Sequence, residues 1–150
     1  MTLLRQRGSR EFGLWATSYG GWIRALLCSV ERDFRFAALM CPIVNVEHAI
    51  WQSDASWKLR RELRGAGIGQ PLIERHFHLS SPLHGAPAFP AERVLVGAGA
   101  YDHLVRAGDA RALTEAWPGS ELLLIRQGHF GYRMMREVFA RLRERGDFIG

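Results

Sequence analysis

Four short apolar runs dominate the hydrophobic pattern of the chain, at residues 12–17, 36–41, 93–99 and 121–126. Runs of this length without strict alternation are typical of strands that are buried on both faces of a sheet. Helical patterns separate the runs, and they cover residues 18–32, 109–117 and the segment from Tyr132 onward. Strands that alternate with helices predict a parallel sheet flanked by helices, which is an α/β fold.

The helical segments carry more specific expectations. The helix after the first run is almost continuously apolar, which favours burial on most sides. Asp109 is positioned to cap the next helix, which Pro118 and Gly119 end. The last helix is expected to have a single apolar face made of Tyr132, Met135, Val138, Phe139 and Leu142. Residues 1–10 have the pattern of a polar helix that ends near Gly8.

Residues 45–91 interrupt this alternation. Helical pieces at residues 46–51, 56–64 and 71–78 are separated by glycines and a proline, and an irregular stretch comes after them. The pattern predicts a cap-like insertion within one domain that spans residues 1–150. Trp51 and Trp57 could line a substrate pocket there, but we expect them to seal the cap against the body.

Charge and composition exclude several classes of function. The 150 residues carry a net charge of +5, with one lysine against nineteen arginines. These arginines are dispersed and alternate with acids, as in residues 60–64, so they predict solvated helix faces and not a nucleic-acid site. Cys28 and Cys41 lack metal or disulfide spacing and are expected in the core. No signal peptide or membrane-length apolar run is recognisable, which predicts a cytoplasmic protein.

The first apolar run leads into Ala16-Thr17-Ser18-Tyr19-Gly20. A strand that turns sharply into a helix exposes the serine hydroxyl at the bend, and small residues two positions before and after the serine permit the turn. Ala16 and Gly20 occupy these places. The alternative is a glycine-rich turn in which Ser18 has no chemical role.

Three polar residues stand just after three of the predicted strands: Ser18, Asp102 and His129. The carboxyl ends of parallel strands meet at one edge of a sheet, so we expect these side chains to lie together. An imidazole can take the proton of a serine hydroxyl, and a carboxylate can orient the imidazole. Asp109 is a rival for the acid, although its place before a helix favours capping.

The chain resembles the α/β-hydrolases, in particular their bacterial serine-hydrolase branch. The resemblance rests on the elbow at residues 15–21, the strand and loop at 94–102 and the segment 127–131. The resemblance implies that Ser18 is the nucleophile, His129 the general base and Asp102 the residue that orients it. The backbone N–H of Tyr19 would supply half of the oxyanion hole. The resemblance further implies that the chain hydrolyses an ester or related acyl bond of a small molecule through an acyl-enzyme, without a cofactor.

Two other functions stay open on the sequence alone. An acyl group could be transferred to an acceptor other than water, or the chain could be a non-catalytic remnant of the fold. No metal site is predicted, because His76 and His78 do not share a helical face and no acidic or cysteine cluster accompanies them. His48 and His84 have no recognisable partners, and His103 is expected to face solvent.

The chain departs from the family pattern before the elbow. Only about ten residues precede the first strand, whereas the family builds several strands there and takes its second oxyanion donor from a loop after an early one. The sequence therefore predicts the C-terminal half of a hydrolase domain, N-terminally incomplete. A homo-oligomer, or a missing N-terminal segment, would complete it.

Overall fold

The computed structural model of the chain describes residues 5, 6, 8 and 11–148, and the predicted helix over residues 1–10 lies largely outside them. A four-stranded parallel sheet in the order β1-β2-β3-β4 forms the centre of the described part. The predicted α/β fold is confirmed. The strands are β1 Phe12–Thr17, β2 Phe34–Met40, β3 Val94–Gly99 and β4 Glu121–Ile125.

The register of the sheet places the carboxyl ends of all four strands along one edge. Thr17 of β1 lies opposite Met40 of β2, and Gly99 of β3 lies opposite Ile125 of β4. The two central strands are the most deeply buried, as their continuous apolar sequences predict. Among the described residues, β1 is an outer strand that pairs with β2 alone.

Five α-helices have their bounds within the described residues, and three of them pack on the sheet. They are α1 Ser18–Cys28, α2 Trp57–Gly65, α3 Gln70–Phe77, α4 Ala107–Ala116 and α5 Tyr132–Glu144. Buried side chains of α1 and α4 pack in one apolar cluster on one face of the sheet, and those of α5 pack in a second cluster on the other face. Within the described residues, no helix is long and apolar enough to cross a membrane.

Two predicted helix faces are wrong in part. Ile23, Leu27 and Val30 are substantially exposed, because the sheet covers only one side of α1. On α5, Val138 and Leu142 are buried as predicted, but Met134 completes the buried face, and Tyr132, Met135 and Phe139 are about half or more exposed. The close approach of α5 to β3 decides its rotation: the Sδ atom of Met134 lies only 2.6 Å from where a Cβ on Gly97 would stand.

The segment between β2 and β3 contains the expected helical pieces, α2 and α3, together with a single π-helical turn at His48–Gln52 and short 3-10 turns. Trp57 does not seal this segment against the body. Its ring is about half exposed and lies against Arg61 and Lys58. Trp117 of the body makes the connection instead, because its fully buried indole N–H donates to the carbonyl oxygens of Pro82 and Gly85 at 3.2 and 2.8 Å.

We predict that Trp117→Phe lowers the free energy of unfolding by about 2 kcal/mol, because it removes the buried indole N–H that the carbonyl oxygens of Pro82 and Gly85 share and leaves a space in the core. Trp57→Phe is the matched control, since the same change at an exposed ring is expected to stay within about 0.5 kcal/mol of the parent. Urea unfolding monitored by circular dichroism measures both. Equal destabilisation by the two variants would contradict the assignment of Trp117 as the link.

Candidate active site

The elbow after β1 holds Ser18 in an uncommon backbone conformation. Ser18 is the first residue of α1 and has a φ of 54°, in the left-handed region that non-glycine residues rarely adopt. The glycine that the close packing requires is Gly21, where an added Cβ would lie 2.9 Å from the Cα of Pro42. At Gly20, by contrast, an added Cβ meets no described atom within 4 Å. The expectation that Gly20 is needed for its small size is therefore wrong.

The structure brings Ser18, Asp102 and His129 into one hydrogen-bonded chain. The Nε2 atom of His129 lies 2.9 Å from the Ser18 Oγ, and its Nδ1 lies 2.7 Å from Oδ2 of Asp102. The imidazole and the carboxylate are almost completely buried. Because Nδ1 donates to the carboxylate, the lone pair of Nε2 is directed to the serine hydroxyl, which is the arrangement required to accept its proton.

Asp102 is held in its charged form by a set of donors. Its Oδ1 accepts the backbone N–H groups of Leu104 and Val105, both at 2.8 Å, while Oδ2 accepts from His129. Burial by itself raises the pKa of Asp102, but the hydrogen bonds from His129 and from the two amides outweigh it and hold that pKa below its ordinary value. The loop after β3 thus orients one carboxylate oxygen and leaves the other for the imidazole.

Gln127 secures the loop that carries His129. Its side-chain amide donates to the carbonyl oxygens of Gly128 and Gly131 at 3.2 and 3.3 Å, on either side of His129. Its Oε1 accepts the backbone N–H of Met134, in the first turn of α5, at 2.7 Å. The sequence predicts no role for Gln127, because a glutamine beside a glycine gives no pattern that distinguishes a buried anchor from a surface residue.

Cys41 lies beneath the site and was predicted only as a core residue. It comes directly after β2 with a φ of 43°, and its Sγ lies within 4.8 Å of the nearest ligand atoms of Asp102 and His129. Burial, reinforced by the Asp102 carboxylate, raises the pKa of the thiol to about 12, so the thiol stays protonated at neutral pH. These three residues could reach a common metal ion by distance. A metal ion would have to replace the hydrogen-bond partner of one imidazole nitrogen and take the proton from the Cys41 thiol, so we assign the group to the hydrogen-bonded chain.

The structure assigns Asp109 a different partner. α4 begins at Ala107 with Arg106 at its N-cap position, so the predicted capping role of Asp109 is wrong. Its carboxylate instead lies 2.9 Å from Nδ1 of His48, a histidine for which the sequence revealed no partner. His103 is exposed, as expected.

An apolar cavity of about 340 Å³ opens beside the nucleophile. Tyr19, the residue after Ser18, lines it together with Leu104 from the Asp102 loop. The remaining walls include Trp22, Val46, Ile50 and Phe77. Ser18, Asp102 and His129 are not among its lining residues, but Tyr19 and Leu104 bring it close to the hydrogen-bonded chain. A mainly apolar cavity at this position has the composition of a small-molecule site.

Comparison with solved structures identifies the architecture. The chain superposes on a puromycin-hydrolyzing peptidase of Mycobacterium tuberculosis with a TM-score of 0.71 at 22% identity, covering 94% of this chain and 22% of that one. An acetyl xylan esterase from Paenibacillus gives 0.66 at 16% identity, covering 89% of this chain and 44% of the esterase. The fold is that of the α/β-hydrolases.

The α/β-hydrolase fold also relates the chain to an acylaminoacyl peptidase of Pyrococcus horikoshii, with a TM-score of 0.66 at 20% identity over 96% of this chain and 25% of the peptidase. The chain therefore spans about a quarter of the peptidases and less than half of the esterase. No protein-family model and no curated protein matches the sequence.

We predict that Asp102 contributes to stability in a pH-dependent way. A carboxyl whose folded pKa is lowered stabilises the fold above its unfolded pKa, about 3.9, and this contribution is lost as the pH falls through the folded pKa. The stability difference between the parent and Asp102→Asn should therefore shrink as the pH is lowered from 6 to 3. Urea unfolding at each pH measures it, and a difference that is constant with pH would contradict the prediction.

Proposed function

We propose that this chain is the nucleophile-bearing part of a serine hydrolase that cleaves a carboxylic ester or a related acyl bond through an acyl-enzyme. The observation that supports it most directly is the continuous hydrogen-bonded chain from the Ser18 hydroxyl through His129 to a buried, ionised Asp102. The strained elbow adds to it, because backbone strain at a nucleophile is a recurrent feature of active sites. The similar structures include hydrolases of ester and acyl-amino substrates.

Acylation would begin when the Ser18 Oγ attacks the substrate carbonyl carbon. The Oγ proton passes to Nε2 of His129, and the carbonyl π electrons move onto oxygen to form a tetrahedral oxyanion. The ionised Asp102 stabilises the imidazolium. The backbone N–H of Tyr19 and the N-terminus of α1 favour the negative charge on the oxyanion.

Collapse of this intermediate breaks the bond to the leaving alcohol, which takes the proton from His129 Nε2 and leaves an acyl group on Ser18. In the second half, a water molecule attacks the acyl carbon and gives its proton to the same nitrogen. The proton then returns to the Ser18 Oγ as the carboxylic acid leaves. His129 thus acts alternately as base and acid, and neither step requires a cofactor.

The cavity beside Tyr19 indicates where the acyl group would lie. Its apolar walls exclude water from the carbonyl carbon and favour an uncharged acyl substituent. Exposed aromatic rings also neighbour each of the three site residues in sequence, namely Tyr19, Tyr101 and Phe130. An apolar acyl ester is therefore the substrate class that we propose.

We predict that Ser18→Ala abolishes hydrolysis of an activated 4-nitrophenyl ester and labelling by a fluorophosphonate probe, because it removes the atom that is acylated. Ser29→Ala, at the other end of α1, is the matched control and should be labelled like the parent. Asp102→Asn should leave the fold intact and lower the rate by about 10⁴. The backbone amides of Leu104 and Val105 hold the side-chain oxygen, so the NH2 group of the asparagine would face Nδ1, favour the wrong imidazole tautomer and supply no charge to stabilise the imidazolium.

Asp109→Asn is the control for Asp102→Asn, and we expect it to leave the rate of the chemical step unchanged. Equal labelling of the parent and Ser18→Ala would refute the proposed nucleophile. Loss of turnover in Asp109→Asn with normal turnover in Asp102→Asn would refute the assignment of the acid.

A second proposal concerns assembly. The outer edge of β1 and the exposed apolar side chains of Ile23 and Leu27 in α1, with Val30 just after it, present a surface that an adjoining strand and helix would cover. We propose that additional polypeptide completes the sheet here and supplies the second oxyanion donor. A non-catalytic assembly role for the chain would use the same surface.

We predict that the 150 residues alone self-associate and hydrolyse esters slowly, because loss of one oxyanion donor typically lowers a rate by about 10²–10³. Light scattering coupled to size exclusion measures the mass, and an ester assay on the same fractions measures activity. A sharply melting monomer with ordinary turnover would contradict this proposal. A stable, unlabelled oligomer would favour the non-catalytic role over the hydrolase.

A further inference from the structure

The segment Val44–Ile50 borders two cavities at once. Val46, Ala49 and Ile50 line the apolar cavity beside Tyr19. A second cavity, also about 340 Å³, is lined by Val44–Glu47 and shares Val46 and Phe77 with the first. Side chains that line a cavity lack packing neighbours on the cavity side, so other contacts contribute more to their position. We call this segment the wall.

Polar contacts hold the wall in addition to the packing of its buried side chains Val44, Ala49 and Ile50. The Nδ1 atom of His48 lies 2.9 Å from Oδ1 of Asp109, which ties the wall to α4 of the body. The backbone N–H of His48 donates to the Asn45 side chain at 3.2 Å, and Glu47 accepts from Gln70 of α3 at 2.5 Å. Of these contacts, only the His48–Asp109 pair connects the wall to an element outside the 45–91 segment.

The surroundings of this pair favour a persistent contact. The His48 side chain is 28% exposed and that of Asp109 is 13% exposed, so solvent screens the interaction less than it would at the surface. The Nε2 atom of His48 also lies 3.7 Å from the Glu47 carboxylate, which places the imidazole between two acids. His48 further begins a π-helical turn, an irregularity that is frequent at functional sites.

We propose that the His48–Asp109 pair determines acyl-group specificity, by holding the wall at a fixed distance from Tyr19 and Trp22 across the apolar cavity. With the pair formed, the cavity is complementary to a medium-length apolar acyl group. A short acetyl group needs only the reacting atoms near Ser18 and makes little use of the wall. This inference rests on the proposed hydrolase function for its substrate. The role of the pair in holding the wall is independent of that function.

The test compares the parent chain with His48→Leu, which keeps the bulk and removes the hydrogen bond. His48→Asn keeps an N–H donor near the position of Nδ1 and is the conservative rescue. His76→Leu, which changes an exposed histidine of the same segment, is the matched control. If His48→Leu fails to fold by circular dichroism, Asp109→Ala removes the same contact from the side of the body and takes its place.

Hydrogen exchange of the wall amides gives a readout that needs no activity. We expect exchange at residues 44–52 to be at least about five-fold faster in His48→Leu, and close to that of the parent in His48→Asn and His76→Leu. In parallel, KM for 4-nitrophenyl octanoate should rise about five-fold in His48→Leu, with kcat and the KM for 4-nitrophenyl acetate unchanged. Equal rates of amide hydrogen exchange in the wall of His48→Leu and His76→Leu would overturn the proposal.

The role of the pair in acyl-group specificity is tested separately from its role in holding the wall in place. Faster exchange with an equal rise of KM for both esters would overturn the specificity role. If the parent hydrolyses neither ester, the hydrolase proposal fails, and calorimetric binding of octanoate replaces the kinetic comparison. Binding that is about five-fold weaker in His48→Leu supports the role of the pair, and unchanged binding overturns it.

Discussion

The parallel register of the sheet is the constraint on which the rest of the site depends. Because all four strands run in one direction and in step, the residues after β1, β2, β3 and β4 emerge at one edge. Ser18 and Cys41 come directly after their strands, and the loops that carry Asp102 and His129 begin at the same edge. A shift in register between β1 and β3 would separate the hydroxyl from the carboxylate by several ångströms, since each residue of a strand advances by about 3.3 Å.

At this edge of the sheet, the hydrogen-bonding groups of Asp102 and His129 each have a partner. Asp102 receives two backbone amides on one oxygen and the imidazole on the other, so its carboxylate stays ionised although it is buried. The imidazole engages both nitrogens, one with the acid and one with Ser18. Cys41, whose raised pKa keeps its thiol neutral, adds no second negative charge beside Asp102. A neutral side chain there avoids like-charge repulsion that would raise the pKa of the acid.

The same fold leaves a surface that the described residues do not cover. Burial alternates along β1, whose outer edge pairs with no described strand, and Ile23 and Leu27 of α1 are exposed. The similar peptidases and esterase contain between two and five times as much chain.

The sequence by itself determined the fold class, the four strands to within about two residues, and the candidates Ser18, Asp102 and His129. These depend on local rules, since buried strands require continuous apolar residues and parallel strands bring the residues after them to one edge. Only the tertiary structure decided which face of α5 is buried, because Met134 and Met135 are equally apolar and the close approach to Gly97 selects between them. It also decided the partners of Asp109, His48 and Gln127. Their hydrogen bonds join loops and helices whose relative positions are set by packing, and no periodicity along the chain encodes them.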